Sequence, residues 1–553
     1  MQAIWISRKQ RFNIGFLAGL AAGIVASALM LLLSVTVGGV SLPEVFGSTF
    51  TQLLPPTAFD YLHRTIGGDA KHYLFYGILV GQCLVFALSG GLCNLLIGSA
   101  KFGKKSNTQG QLHWLTGVIL ALLLWLLTGL IFLPLTGAGI FGAELSIGVV
   151  STILSLAAVG LTFGLLFVYA QNWLVLRRLR AVDVELSDRA EAANYARRAI
   201  LQRGLVVLGL GTLGVVAWRF ITGSGGGSSA SVSHLVQNFK NKVVPPPVPN
   251  YGTIKQVPQL SAEVTSNQQY YVVSKNLFSD PTVDSQKWQL TVNGEVHQPF
   301  TLTYNELLAM PMKQQYESMM CISNEVGGEY MSNALWEGIP LADLLARAGG
   351  VKPGATKVVL YAVDDYSDSI HLSKALEPTT LVAVHMNGVA LPSGHGFPAR
   401  LLVPGIYGMK HVKWITRIEV VNQDYQGYWQ VRGWSDPAPI RLTSRIDTPV
   451  TGTTVTVNKP TYIAGVAFSG NKGISEMDVS LDAGKTWQRA TLKRPLSALT
   501  WVLWELPWQP TKPGTYTIVA RAIDMEGIVQ DPNVAPPLPD GATGYHTINV
   551  TVA

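Results

Sequence analysis

Unbroken apolar runs fill the first 220 residues, and short alternating ones fill the chain from about 260 to 553. Five apolar stretches, at about 13–40, 73–99, 112–135, 146–170 and 203–220, each reach the roughly 20 residues a helix needs to cross a bilayer core. The basic residues flank these runs unevenly. Arg8, Lys9 and Arg11, then Lys101, Lys104 and Lys105, then seven arginines from Arg177 to Arg203 fall on one side, and only Arg64 and Lys71 on the other. The positive-inside rule places the N-terminus in the cytoplasm and everything after the fifth span outside it. A Gly/Ser tether from Gly223 and a stiffer Val243-Val-Pro-Pro-Pro-Val-Pro spacer follow. Beyond them, β-branched and aromatic runs alternate with Gly/Pro/Asn turns, with a few helical stretches such as Leu341–Ala348. That pattern predicts a mainly β globular region of two units, breaking near Thr443–Pro449.

Composition agrees with a membrane protein. Of 553 residues only 14% are charged, against about 25% in ordinary soluble domains. The net charge of +7 would suit nucleic acid if it sat on one soluble face, but the basic residues cluster beside the apolar spans. No nucleic-acid partner is expected. Three cysteines, Cys83, Cys93 and Cys321, exclude a disulfide scaffold and a multi-cysteine zinc or iron–sulfur site.

The fifth span opens with Arg197-Arg198 followed by apolar residues and a weakly hydrophobic, Gly-rich helix. This looks like a twin-arginine export signal; the plain alternative is cytoplasmic flank charge. Gly209-Leu-Gly211-Thr-Leu-Gly214 has the spacing of a dinucleotide fingerprint, but no strand precedes it, and helix packing explains it better.

Cys321 is the one cysteine of the second half. Taken alone it reads as a buried, inert thiol. It opens Cys321-Ile-Ser-Asn324-Glu325-Val-Gly327-Gly328, however, a turn-forming stretch of the kind that presents a side chain at a site. A thiolate is a soft ligand that suits a redox metal. Downstream, His395-Gly-Phe-Pro-Ala-Arg400 leads through Val403-Pro-Gly-Ile-Tyr-Gly408 to Lys410-His411-Val412-Lys413-Trp414. By composition this is an anion-binding loop or a solvated basic patch.

With these residues in view, the segment from about 270 to 435 resembles the molybdopterin-binding domain of the sulfite oxidase family. The matches are Cys321 with Asn324, the Trp336-Glu-Gly-Ile-Pro-Leu block, a Ser369-Ile370 turn, His395 to Arg400, and Val403 to Trp414. From about 445, Val479-Ser-Leu-Asp482-Ala-Gly484-Lys-Thr486-Trp487, Trp501 to Trp504 and Ala522-Ile-Asp524 resemble the family's Ig-like dimerisation domain. The apolar runs imply an all-α membrane domain of about five transmembrane helices (1–222), and the composition a flexible and Pro-rich linker (223–259). The resemblance, which does not cover the membrane half, implies an α+β sulfite-oxidase-type molybdopterin domain (260–444) and an Ig-like β-sandwich (445–553). It further implies a Mo-molybdopterin cofactor with Cys321 as the protein's metal ligand. Ser274, Lys275, Asn276, His395, Arg400, His411, Val412 and Lys413 would hold the pterin and its phosphate. Asn324, Glu325 and Trp434 are the near-substrate candidates. One further pterin contact of the family, expected in the short loop from Tyr361 to Asp368, has no clear counterpart.

The chain departs from the sulfite oxidases where substrate binds. Val326 stands where they carry an arginine, and Trp434 where they carry a tyrosine. Divalent anions need donor-rich walls, and Lys472 from the C-terminal unit is the candidate to restore charge. The expectation is a membrane-anchored oxidoreductase that transfers an oxygen atom to or from a small extracytoplasmic substrate, works with an electron-transfer partner, and forms a homodimer. The alternatives are an S-oxide reductase fed from the quinone pool and a cofactor-free binding module. A folded molybdopterin domain can cross the membrane only by the twin-arginine route, which favours that reading of Arg197-Arg198. A haem b is the remaining cofactor question. His113 resembles the histidines of small cytochromes b, but His63 and His72 fall at the opposite membrane face, so the helices read as an anchor or docking surface.

Overall fold

The computed structural model describes residues 8–53, 70–97, 112–145, 147–185, 242–255, 257, 259–276 and 279–553. The fifth expected span, Arg197-Arg198 and the Gly/Ser tether lie outside these. The chain divides into a helical unit and a β-rich unit.

In the helical unit, Arg8–Thr36, His72–Leu96, Trp114–Leu135 and Gly148–Arg177 are long and apolar enough to cross a membrane, the four such helices among the described residues. The first buries Gly15, Ala18, Gly19, Ala22, Gly23 and Ala26 in one stripe, the small-residue spacing that lets helix backbones approach in lipid. Cys93 packs against the same apolar cluster, and Ser27 Oγ lies 3.7 Å from Cys83 Sγ, so both cysteines pack between helices. His113 caps the third span: its Nδ1 accepts from the Leu115 N–H. Its side chain is exposed, which is the geometry of a cap.

Alternation of buried and exposed positions, as in Gln289–Gly294, builds the β-rich unit from four sheets. One orders Phe300–Thr303, Gln289–Gly294, Ile415–Val421, Lys357–Ala362 and Ser367–His371; in it only the Gln289–Gly294 and Ile415–Val421 strands run parallel. The second orders Lys313–Met320, Met331–Pro340, Leu381–Met386 and Val389–Ala390, and Arg400–Leu402 pairs with Leu381–Met386. Leu290, Ile339, Leu344, Val358, Leu401 and Ile418 share the core formed by these elements. The Ser369-Ile370 turn expected from the sequence is instead the middle of a strand, with Ser369 opposite Val359 and Ile370 opposite Val358.

The remaining sheets order Thr443–Thr448, Thr461–Phe468, Val502–Trp508 and Thr491–Leu492, and Thr454–Val455, His546–Val552, Gly514–Asp524, Ile474–Ser480 and Gln488–Arg489. Both contribute to one core around Ile463, Met477, Trp504, Ile518 and Val550, a two-sheet packing. The proline-rich stretch from Pro245 to Pro249, expected as a stiffer spacer within the linker, is strapped to this sandwich. Val244 N–H donates to Gly527 O (2.8 Å), and Gly252 N–H to Leu492 O (2.9 Å). Extended, proline-rich backbone has no internal hydrogen bonds, so its free groups can pair with strand edges.

A third cluster joins the two halves of this unit. Met320, Ile322, Met331, Tyr407, Met409 and Trp434 pack with Ala464, Val466, Phe468 and Trp501. The site rests on that cluster.

Candidate cofactor and metal site

Cys321 follows directly from the strand Lys313–Met320 and is buried, 8% exposed. Its N–H donates to Tyr330 O at 2.9 Å, and its Sγ lies 3.0 Å from Ser323 Oγ. Asn324 closes the loop from inside. Its N–H donates to Cys321 O (3.1 Å), and its Oδ1 accepts from the Tyr330 N–H (2.8 Å). Its amide oxygen is therefore a brace. Glu325 is exposed, and its carbonyl accepts from the Gly328 N–H.

The C-terminal sandwich pins the far end of this loop. Arg445 donates from Nη1 to Gly328 O (2.9 Å) and from Nη2 to Ser261 Oγ (2.8 Å), while its Nε donates to Asp447 Oδ1 (2.6 Å). Gly327 has a left-handed φ of +78°, and a Cβ there would stand 2.4 Å from His546 Nε2. That ring is itself held, because His546 Nδ1 accepts from the Ile446 N–H (2.9 Å). Sequence reading missed Arg445 and His546, since the loop they hold, at Gly327 and Gly328, lies more than 100 positions away.

Arg400 starts the strand Arg400–Leu402 and is 4% exposed. Its guanidinium donates to His395 O (3.1 Å), His411 O (3.2 Å) and Met319 Sδ (3.2 Å), two residues before the cysteine, and lies over the Trp336 ring at 5.3 Å. Its Nε has no hydrogen-bond partner among the described residues. The two histidines are neutral by construction. His411 Nδ1 accepts from the Val403 N–H (3.4 Å), so Nε2 carries the proton toward Ile406 O (3.2 Å); burial pushes its pKa down to about 3. His395 lies 2.9 Å through Nε2 from Asn267 O, and burial lowers it to about 4. Val412 sits with its side chain in the core and its carbonyl on the Leu401 N–H, so any contact with a cofactor runs through its backbone.

A third wall comes from the stretch before Asp280. Asn276 Nδ2 donates to Asp280 Oδ1 (3.2 Å) and Asp364 Oδ2 (3.0 Å), and Lys275 Nζ donates to Asn276 Oδ1 (3.3 Å). Lys413 Nζ donates to Gly394 O (3.0 Å) and lies 3.8 Å from Asp280. Ser274 is half-buried. Asp364 is the residue that the short 361–368 loop offers to this wall. Its signal was its neighbourhood in space, which the sequence does not print.

Tyr271 links the walls. It is within electrostatic reach of both Cys321 and Arg400, and burial pushes its phenol well above the usual range. A Cβ on Gly408 would meet its hydroxyl at 2.8 Å, which is why the loop after Val403 carries glycine there. Trp434, 8% exposed, shares the cluster of Met320 and Ile322 on either side of the cysteine, and its Nε1 has no partner among the described residues. Lys472 pairs with Glu526 (2.6 Å) at the surface.

This donor set fits a molybdopterin. It offers a soft sulfur, two lysines and a buried guanidinium with an unmet N–H, beside neutral imidazoles. Buried polar atoms in native proteins are seldom left unmet without a reason.

Comparison with known proteins agrees. Residues 278–429 match the oxidoreductase molybdopterin binding domain, and residues 438–540 the Mo-co oxidoreductase dimerisation domain. The sulfite oxidase of Arabidopsis thaliana is 30% identical over 347 residues, half of this chain and 86% of that protein. The chain belongs to the sulfite oxidase family. Mitochondrial sulfite oxidase of Rattus norvegicus is 31% identical over 328 residues, and the chain spans 60% of that relative's length. Among solved structures, the sulfane dehydrogenase SoxCD from Paracoccus pantotrophus overlays 59% of this chain and 92% of its own, at 22% identity and a TM-score of 0.47. The family's cofactor is Mo-molybdopterin, and the matched binding domain contains Cys321, Arg400 and His411.

Proposed function

We propose that this chain is a membrane-anchored molybdopterin oxidoreductase working on a small substrate outside the cytoplasm. The observation that carries the reading is the meeting, around Tyr271, of a buried cysteine and a buried arginine whose N–H is unmet. Cys321 would be the metal's protein ligand; Arg400, Lys275 and Lys413 would hold the anionic parts of the cofactor, with His395, His411, Asn276 and the Val412 backbone closing the cradle. When bound, the cofactor supplies a metal that cycles between two oxidation states and exchanges an oxygen atom.

The chain's own residues fix orientation and dryness. Carbonyls from His395 and His411 hold the guanidinium of Arg400 so that its charge needs no reorganisation. Neutral histidines avoid adding repulsion beside it. Arg445 and His546 hold the Cys321 loop, so the thiol does not wander from its target. The aromatic residues Tyr271, Tyr407 and Trp434 exclude water from the sulfur's surroundings.

The C-terminal sandwich is read as the Ig-like unit of a homodimer, and the helical unit as an anchor with the N-terminus in the cytoplasm. Export of the folded domain by a twin-arginine signal at Arg197-Arg198 completes the topology. Electrons pass to or from a membrane partner.

A second reading is favoured by one observation. Lys472, the candidate for restoring positive charge, is committed to Glu526, and Val326 replaces the family's arginine, so the walls suit an uncharged S-oxide reduced with quinone-pool electrons. Full-length protein in detergent separates the two. Ferricyanide reduction with sulfite supports the oxidase; oxidation of a reduced dye with sulfoxides supports the reductase. A folded, molybdenum-free wild type contradicts both.

A further inference from the structure

Behind Arg400 lies a carboxylic acid that the proposed chemistry does not use. Glu317 is on the strand Lys313–Met320 and is fully buried, 0% exposed. By strand alternation it shares a face with Gln315 and Met319. Gln315 Nε2 donates to its Oε2 at 2.8 Å, whereas Oε1 has no hydrogen-bond partner among the described residues. The Glu317 backbone carbonyl accepts from Trp336 Nε1 (3.2 Å), so this residue also fixes the ring on which the Arg400 guanidinium lies.

The groups facing Glu317 are Arg400, Lys374, His411 and Tyr270. His411 Nδ1 is 3.9 Å from Oε1, but that nitrogen already accepts from the Val403 N–H. It is a neutral acceptor, so the approach is no ion pair. Two acceptors facing each other repel, which favours a proton on the carboxyl. The Tyr270 hydroxyl beside this cluster likewise has no hydrogen-bond partner among the described residues. Burial acts in the same sense, lifting the Glu317 carboxyl to about 8 in spite of Gln315, Arg400 and Lys374. Arg400 thus has an unmet N–H on a fixed charge, with an acid in electrostatic reach whose own charge depends on pH.

We propose that Glu317 is a positioning residue that ties cofactor seating to pH: neutral, it leaves the Arg400 charge for the anionic end of the cofactor; ionised, it draws that charge to itself. The proposal rests on the molybdopterin reading above. It assigns no contact between Glu317 and the cofactor.

The test is molybdenum retention by the full-length protein in detergent, incubated from about pH 6 to about pH 10 and desalted, for wild type and Glu317→Gln. Retention time in the wild type is expected to shorten at least about fivefold, mostly near pH 8, while Glu317→Gln, locked neutral, changes less than about twofold. Identical pH profiles for the two proteins overturn the proposal, because a merely structural role would not give the variant a flatter profile. If Glu317→Gln does not fold, infrared titration of the wild type decides. A protonated-carboxyl band that titrates near pH 8 is expected, and its absence overturns the proposal. Absence of molybdenum at every pH, by contrast, defeats the molybdopterin reading itself.

Discussion

Two buried cations ten positions apart in the same Gly/Pro-rich run have opposite surroundings. Lys410, 1% exposed, spends all three donors: on Asp368 Oδ1 (2.8 Å), Ser369 O (2.9 Å) and Asp436 Oδ1 (3.0 Å). Asp436 also accepts from Lys357 (2.7 Å), and Asp368 from Tyr366 (3.0 Å), so the charges close on themselves. Arg400, also buried, has carbonyls and a thioether but, among the described residues, no carboxylate in hydrogen-bond reach and one N–H unmet. Burial of a charge therefore does not by itself mark a binding site. Unmet hydrogen-bonding capacity does, because a satisfied network has nothing to offer a ligand.

The comparison breaks most visibly by substitution. Lys410→Met strands the buried carboxyl of Asp368 and takes one partner from the half-buried Asp436, and should cost about 3–5 kcal/mol, read from denaturant unfolding of the full-length protein, while molecules that fold keep their molybdenum. Arg400→Met should cost less, about 1–3 kcal/mol for the carbonyls it abandons, yet empty the protein of molybdenum. Equal molybdenum loss in both variants would erase the distinction. The loop opposite has its own weak point. Gly327→Ala puts a Cβ against His546 and forces a left-handed φ on alanine, so about 2 kcal/mol of stability and most of the activity should go.

Acid sharpens the picture further. His411 and His395 refuse protons that the unfolded chain takes up below about 6.5. The unfolded state therefore binds more protons, and stability falls as pH drops from about 6.5 toward about 4 for His395 and about 3 for His411. Each contributes up to about 1.4 kcal/mol per pH unit. Glu317 runs the other way: between about 4.5 and about 8 the folded state keeps a proton that the unfolded chain loses, so stability falls as pH rises through that window. Below about pH 4.5 Glu317 no longer contributes, whereas carboxyls held low by hydrogen bonds, such as Asp482 and Asp424, join the histidines, and His411→Gln should make the unfolding profile less steep there. The smallest effect belongs to Lys472→Ala. Its exposed pair with Glu526 is worth about 0–1 kcal/mol, and KM for sulfite should not change.

Legibility in the sequence follows the range of the interactions. Cys321, His395, Arg400, His411 and Lys413 could be named as candidates because they stand in two continuous runs, with glycines and prolines at spacings a close-packed loop needs. Four of the apolar stretches were readable as long helices from the length of their unbroken apolar runs; the fifth lies outside the described residues. Asp364, Tyr271, Arg445 and His546 were not, since each takes its meaning from a partner far along the chain. Glu317 left a faint trace: an acid inside Gln-Tyr-Glu-Ser-Met-Met, at a position whose strand neighbours turn inward. Ser369-Ile370, taken as a turn from the resemblance alone, is held extended by pairing with Lys357–Ala362. The proline-rich spacer gave no sign in the sequence of its attachment, because the partners that hold Val244 and Gly252, Gly527 and Leu492, lie more than 200 positions away.

The most direct measurement is X-ray absorption at the molybdenum edge of the purified full-length protein, compared with Cys321→Ser. The expected result is one sulfur scatterer fewer in the variant, with the cofactor's own sulfurs still present in whatever molybdenum it retains. An unchanged sulfur shell would mean that the metal, if the protein holds one, is gripped by something other than Cys321.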